Sequence, residues 1–295
     1  MGTASARFAI VAGLMGLTGV VVARAPLAAG ANASTTLHGP AVPVGNGTAR
    51  MFVERSPGGE PRAIGIELTQ AALGGLAARM NTTSRCFDKN GDGTVAHGEC
   101  LGDYQAELSL PEGASDLQLP FRWATVNWNP EGHLAPAPPV WSAPHFDFHF
   151  FIAEPGLIRG IRTGPCAEFI HCVDSARATT PLPARHAPEG YINVGAAVAA
   201  MGNHLVDARD PELADPKLGF SHTFIYGTYD GKLIFLEPMV SHGFLSTHPQ
   251  DCRPVRPPKA YATSGYYPAA YCVRHDAATA TYRVTLEGLA YRRAG

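Results

Sequence analysis

Nowhere in this chain do lysines and arginines gather into a run, and charged residues make up only 16% of it. With a formal charge of −2, that sparse balance argues against nucleic acid or an anionic membrane surface as the main partner. No Cys-x-x-Cys pair occurs, which excludes the usual thiolate zinc site and the dithiol redox motif. The nucleophile elbow G-x-S-x-G, the P-loop and the dinucleotide fingerprint are missing too. GGEPRAIG, residues 58–65, lacks the strand–glycine–helix setting of a phosphate loop. No internal repeat is visible.

Long apolar runs are equally scarce. The one at Phe8–Ala23 follows the lone charge of Arg7 and is shorter than the roughly 20 residues of a membrane span. Small residues follow, with Ala31-Asn32-Ala33 the best cleavage box, so residues 1–33 read as a signal peptide and the product as secreted or periplasmic. No stable membrane span is expected after processing. Loss of Arg7 and Arg24 takes the charge from −2 to −4 (two positive charges fewer).

Export changes the meaning of the six cysteines, all of which lie beyond the cleavage point. Disulfides are expected there. Local pairing gives Cys86–Cys100, Cys166–Cys172 and Cys252–Cys272, one of the 15 pairings that six cysteines allow.

What the chain has in abundance is glycine, proline and short β-rich runs. Residues 34–59 open without periodicity and read as a flexible lead-in, with short strands suggested on either side of Ser56-Pro57-Gly58-Gly59. Residues 60–295 read as one mainly β domain, antiparallel and sandwich- or barrel-like, with β-rich α+β as the variant. One or two short helices are expected, the best at residues 69–80 despite Gly74 and Gly75. Strands are expected at 104–110 and 121–134, the latter ending in Asn-Pro-Glu-Gly, with a Pro-rich connector after it. VGAAVAAMGNHLVD reads as helix or buried strand, and the end of the chain as a terminal strand pair. Asp230-Gly231 marks a hairpin within residues 222–240.

DKNGDGTVAHGE, residues 88–99, matches a twelve-residue calcium loop. Asp88, Asn90 and Asp92 occupy positions 1, 3 and 5, Gly93 the turn, Thr94 the carbonyl position 7 and Glu99 the bidentate position 12. The frame differs from an EF-hand: Asn81-Thr82-Thr83-Ser84 is a poor entering helix and Cys100-Leu101-Gly102 starts no exiting one. No second loop pairs with it. The segment 86–100 therefore reads as an isolated, structural EF-type calcium loop with Cys86 and Cys100 at its base.

PHFDFHFFI alternates, sending Phe146, Phe148 and Phe150 to one face and His145, Asp147 and His149 to the other. Along a strand, i and i+4 lie about 13 Å apart, so His145 and His149 do not readily share one metal, whereas Asp147 reaches either neighbour. A two-residue loop at Asp230-Gly231 sets His222 opposite Met239 and on the face of Glu237. Such a Glu needs a partner, because burying an unpaired carboxylate is costly. One second metal site is thus drawn from Asp147, His149 or His145, His204, His222 and Glu237, with N/O ligands suited to a transition metal such as zinc.

The motifs NWNPEGH, PHFDFHFF, MGNHLVD and YDGKLIFLEPM together resemble a family of exported bacterial proteins of undetermined biochemical function. Its founding domain belongs to a thermophile protein under extracytoplasmic sigma factor control. The resemblance covers roughly residues 60–245 and includes His145, Asp147, His149, Met201, Gly202, His204, Asp230, Gly231, Glu237 and Pro238. Against that pattern the calcium-like loop is an insertion, and Leu205 stands where an aromatic is expected. The resemblance implies an envelope or secreted location and an envelope-stress setting, and supplies no reaction. Three readings follow: a calcium-binding β protein with a structural or binding role, a metal-dependent enzyme using the His/Asp/Glu set, or a self-assembling homo-oligomer with the His/Asp/His face as its interface.

Overall fold

The structure, a computed structural model, describes residues 1, 2, 34–133 and 139–295. Residues 3–33 of the expected signal segment and the first part of the Pro-rich connector lie outside the described residues. The unit Ala33–Gly295 is built from two seven-stranded antiparallel sheets and small two-stranded ladders. Among the described residues no helix is long and apolar enough to cross a membrane.

The first sheet runs in the order Thr35–His38, Gly47–Arg55, Pro61–Thr69, Thr281–Glu287, Ala270–Asp276 and Gln250–Pro254, with Val42–Val44 also pairing Gly47–Arg55. The second runs Tyr191–Val198, Gly202–Asp207, His222–Tyr229, Lys232–Ser241, His145–Phe151, Trp123–Asn129 and Tyr104–Ser109. Alternation joins them into a sandwich: Phe146, Phe148 and Phe150 of the second sheet share one core with Met51, Ile64, Ile66 and Val284 of the first. The other face of the second sheet carries a separate apolar cluster that includes Trp141, Ile161, Ile170, Ile225, Phe235 and Met239. That second buried face carries the candidate site.

Residues 34–59 are not a flexible lead-in. They form three strands of the first sheet, and Ala49, Met51, Phe52 and Val53 are fully buried. Thr35–His38 and Val42–Val44 are too short to show a period, and their order comes from pairing with Gly47–Arg55. The helix expected at 69–80 is reduced to a 3-10 turn, Gln70–Leu73. Gly74 and Gly75 follow at once, Gly75 with φ +66°, so the helix has no room to propagate. Among the described residues four short α-helices appear instead, at Pro155–Arg159, Cys172–Ala178, Pro211–Ala214 and His242–Leu245.

VGAAVAAMGNHLVD resolves into strand, turn and strand, Tyr191–Val198 and Gly202–Asp207. Gly202 is required there: its φ is +117°, and a Cβ would sit 2.8 Å from the Thr228 carbonyl oxygen. All three expected local disulfides are present. Cys86 and Cys100 face each other across a two-stranded ladder, Asn81–Cys86 with Cys100–Gly102, so the frame of the calcium-like loop is strand–loop–strand.

Candidate metal centre

Strand His145–Phe151 turns His145, Asp147 and His149 onto the outer buried face of the second sheet, all within 2% of full burial. Its neighbour Trp123–Asn129 alternates in step, setting Thr125 opposite His149, Asn127 opposite Asp147 and Asn129 opposite His145. The register of Lys232–Ser241 against His145–Phe151, through Leu236↔Phe150 and Met239↔Asp147, sets Glu237 across from His149. His204 arrives from Gly202–Asp207, paired with Gly227, whose missing side chain leaves room for the Phe235 ring.

His149, His204 and Glu237 thereby offer ligand atoms within 4.8 Å of one another. His149 Nε2 lies 3.5 Å from Glu237 Oε1, and His204 Nε2 lies 3.7 Å from Oε2. These gaps are long for hydrogen bonds, and match the roughly 3.4 Å that separates two ligand atoms each about 2.1 Å from a tetrahedral ion.

The tautomers follow from the outer partners. His204 Nδ1 donates to the Ala196 carbonyl at 2.9 Å. Thr125 Oγ1 spends its only proton on Asn127 Oδ1 at 2.8 Å, so it accepts from His149 Nδ1 at 3.3 Å. Both imidazoles therefore aim an Nε2 lone pair at the Glu237 carboxyl group. Two lone pairs facing a carboxylate require a proton or a cation between them. His149 Nε2 and Glu237 Oε2 have no hydrogen-bond partner among the described residues.

Burial lowers the His149 imidazole to about 3 and also lowers His204, which keeps both in the neutral, metal-ligating form. Burial, reinforced by the charge of Asp147, pushes the Glu237 carboxyl well above its ordinary range.

Beside this set stands another. Asp147 faces His145, with Nε2 3.2 Å from Oδ1, and His133, with Nε2 3.7 Å from Oδ2. Asn129 Nδ2 donates to Asp147 Oδ2 at 2.7 Å. Burial pushes the Asp147 carboxyl up, but its electrostatic interaction with the neighbouring imidazoles of His145 and His133 outweighs burial and holds it below its usual range.

The single site expected from sequence is thus divided: His149, His204 and Glu237 meet, whereas Asp147 belongs with His145. His222 belongs to neither. Ile234 is an extra residue between the pairs Thr228↔Leu233 and Gly227↔Phe235, so His222 faces Val240 rather than Met239 and Ile225 faces Glu237. The bulge exists because Ile234 and Phe235 both bury into the outer cluster. His222 therefore lies on the opposite face from Glu237, bonded to Asp251 at 2.8 Å and to the Tyr271 hydroxyl at 3.0 Å. The His/Asp/His face is covered within the chain itself.

Three positions carry more than their sequence context suggested. His133 follows the Asn-Pro-Glu-Gly turn, held by its N–H to the Trp141 carbonyl at 2.9 Å; Gly132 (φ +70°) allows that approach, since a Cβ would meet the Ser142 backbone at 2.3 Å. Asn127 and Asn129 were legible in the same way as the histidines, because TVNWN alternates as HFDFHF does.

A cavity of about 180 Å³ opens onto both sets, its wall including His133, Asp147, His204, Asn129 and Glu168. The calcium-like loop, through Lys89 and Gly98, and the strand after it, through Cys100 and Leu101, form part of the same wall. Lys89 Nζ stands 4.5 Å over the Phe169 ring, and His97 contacts Glu131 at 3.2 Å. Within the loop, Asp88 accepts from the N–H groups of Gly91 (2.7 Å) and Gly93 (2.8 Å), and Asp92 Oδ1 from that of Thr94 (2.8 Å). Glu99 folds back to accept from Lys89 and Ala96, each at 2.9 Å. Asp88, Asp92 and Glu99 are thereby bonded to backbone N–H groups of their own loop, and they do not bring ligand atoms within 4.8 Å of one another.

No family model, curated protein or solved structure matches this chain.

Proposed function

We propose that this chain is an exported metalloprotein in which His149, His204 and Glu237 hold a zinc-class ion at the edge of a cavity, giving a metal-dependent enzyme. The supporting observation is the pair of outer-anchored imidazoles aiming unprotonated Nε2 atoms at one buried carboxyl group. Two histidines and a glutamate are the donor set of hydrolytic zinc sites, which keep a further coordination position open. Such an ion supplies Lewis acidity and acidifies a bound water. The protein's own part is to fix the ligands through Thr125 and Ala196, and to admit a small molecule past His204 and Asp147.

On this reading the loop 88–99 binds calcium as a structural element. It stiffens the cavity wall and is pinned at its base by Cys86–Cys100. The disulfides suit an extracytoplasmic site. An envelope-stress role stays with the family resemblance.

Metal analysis of the processed protein, purified without chelator, tests the centre. The expected result is tightly held zinc, iron, manganese or copper, lost in His149→Ala and in Glu237→Gln. Cobalt-substituted protein should change its visible spectrum when azide is added. Protein that holds only calcium would overturn the proposal, and an azide-insensitive spectrum would make the site a closed, structural one.

A further inference from the structure

His133, His145 and Asp147 repeat the chemistry of the first set: two imidazoles and one carboxylate, with ligand atoms within 4.8 Å of one another. His145 Nδ1 is engaged by the Ala143 carbonyl at 2.7 Å, which leaves its Nε2 lone pair 3.2 Å from Asp147 Oδ1. His145 is fully buried and Asp147 is 2% exposed, yet Nε2 and Oδ1 have no hydrogen-bond partner among the described residues. A lone pair and a carboxylate oxygen at that separation repel unless a positive centre lies between them. Asn129 fixes the other carboxylate oxygen, as an outer partner does for a ligating aspartate. His133 closes the triangle from the cavity side.

We infer that His133, His145 and Asp147 bind a second zinc-class divalent ion, so that two ions face one cavity. Asp147 and His133 from this set and His204 from the other all border that cavity. An oxygen-anion ligand, a phosphate or a carboxylate, would then meet two cations rather than one. The inference adds to the one-ion reading, and the two fall separately.

The rival to the second ion is a proton on His145, giving an imidazolium–carboxylate pair, and counting metal decides between them. Processed protein is stripped with chelator, loaded with zinc in calcium-containing buffer, desalted, and its zinc counted per chain by mass spectrometry. Two ions are expected in the native sequence, and one in His133→Gln. His133 is the variant of choice because its side chain is 27% exposed, so the fold tolerates the change. Asp147→Asn is the second variant, with the same expected loss. Glu237→Gln should also hold one ion, and the His133→Gln/Glu237→Gln double variant none. A single zinc that disappears in Glu237→Gln but survives His133→Gln and Asp147→Asn would overturn the second site while leaving the first. Two zincs untouched by His133→Gln would overturn it as well, and no zinc at all would overturn both readings.

Discussion

At the scale of single residues, carboxyl groups around the cavity are held away from their ordinary behaviour by burial, and Glu168 shows this apart from the proposed ligands. Its Oε1 is shut off from solvent with no hydrogen-bond partner among the described residues. Burial raises its pKa to about 7, against a smaller opposing pull from Lys89. A carboxyl whose folded value exceeds its unfolded one favours folding while protonated. Its contribution is complete below the unfolded value of 4.5 and is lost as pH rises through about 7. Urea unfolding of chelator-stripped protein should show stability falling between pH 5 and pH 8, with Glu168 responsible for on the order of 1–3 kcal/mol. Asp210, also raised to about 7 by burial and by Glu212, acts with the same sign, so the difference between native protein and Glu168→Gln is the measure. Superimposable profiles for the two would show that Glu168 is solvated. Nothing in CAEFI, residues 166–170, announces this, because desolvation comes from chain segments far away in sequence. His145, Asp147 and His149 were legible, since strand alternation is local and three phenylalanines fix which face is apolar.

Elements were legible wherever their signal was contained within them. Asp230-Gly231 and the terminal strands follow from turn chemistry and alternation, and the expected pairs are present. The register beyond the hairpin was not, because the Ile234 bulge answers to a cluster supplied partly by Trp141 and Ile170. With that single extra residue, Glu237 lies on the side of His149 and His204, and His222 on the other. The calcium-like loop is the opposite case: its ligand pattern is entirely local, and only its strand frame depends on the surroundings. Its position on the cavity wall predicts that calcium acts locally. Glu99→Ala should abolish the rise in melting temperature that calcium gives the processed protein, and leave the bound zinc-class metal in place. Calorimetry that detects no calcium uptake at about 1 mM, near the weak end for extracellular modules, would remove calcium from the account. Loss of both metals in Glu99→Ala would instead mean that loop and centre form one cooperative unit.

For the molecule as a whole, the second sheet is a partition between two interiors of different character. Even-numbered residues of His145–Phe151 bury into the space between the sheets, while odd-numbered ones bury into the outer cluster and the polar centre. The covered outer face distinguishes this sandwich from one that leaves its outer face to water, and explains how imidazoles and carboxyls come to be fully desolvated on a surface-facing sheet. The two-sheet class was legible from strand content, whereas the covering was not, since it is assembled from two short helices and irregular segments too brief to show a period. If the faces are energetically separate, a cavity on one side should leave the chemistry on the other intact. Phe148 is fully buried between the sheets, one residue from Asp147 and from His149. Phe148→Ala should cost about 3–5 kcal/mol of unfolding free energy. Its metal count after zinc loading should nevertheless equal that of the native chain, because the strand remains hydrogen-bonded on both sides and the outer anchors Thr125, Asn129 and Ala196 are untouched. A folded Phe148→Ala protein that has lost its metal would show that ligand geometry is set by packing through the strand. The partition would then be mechanical rather than merely spatial, and the two faces would have to be treated as one coupled interior.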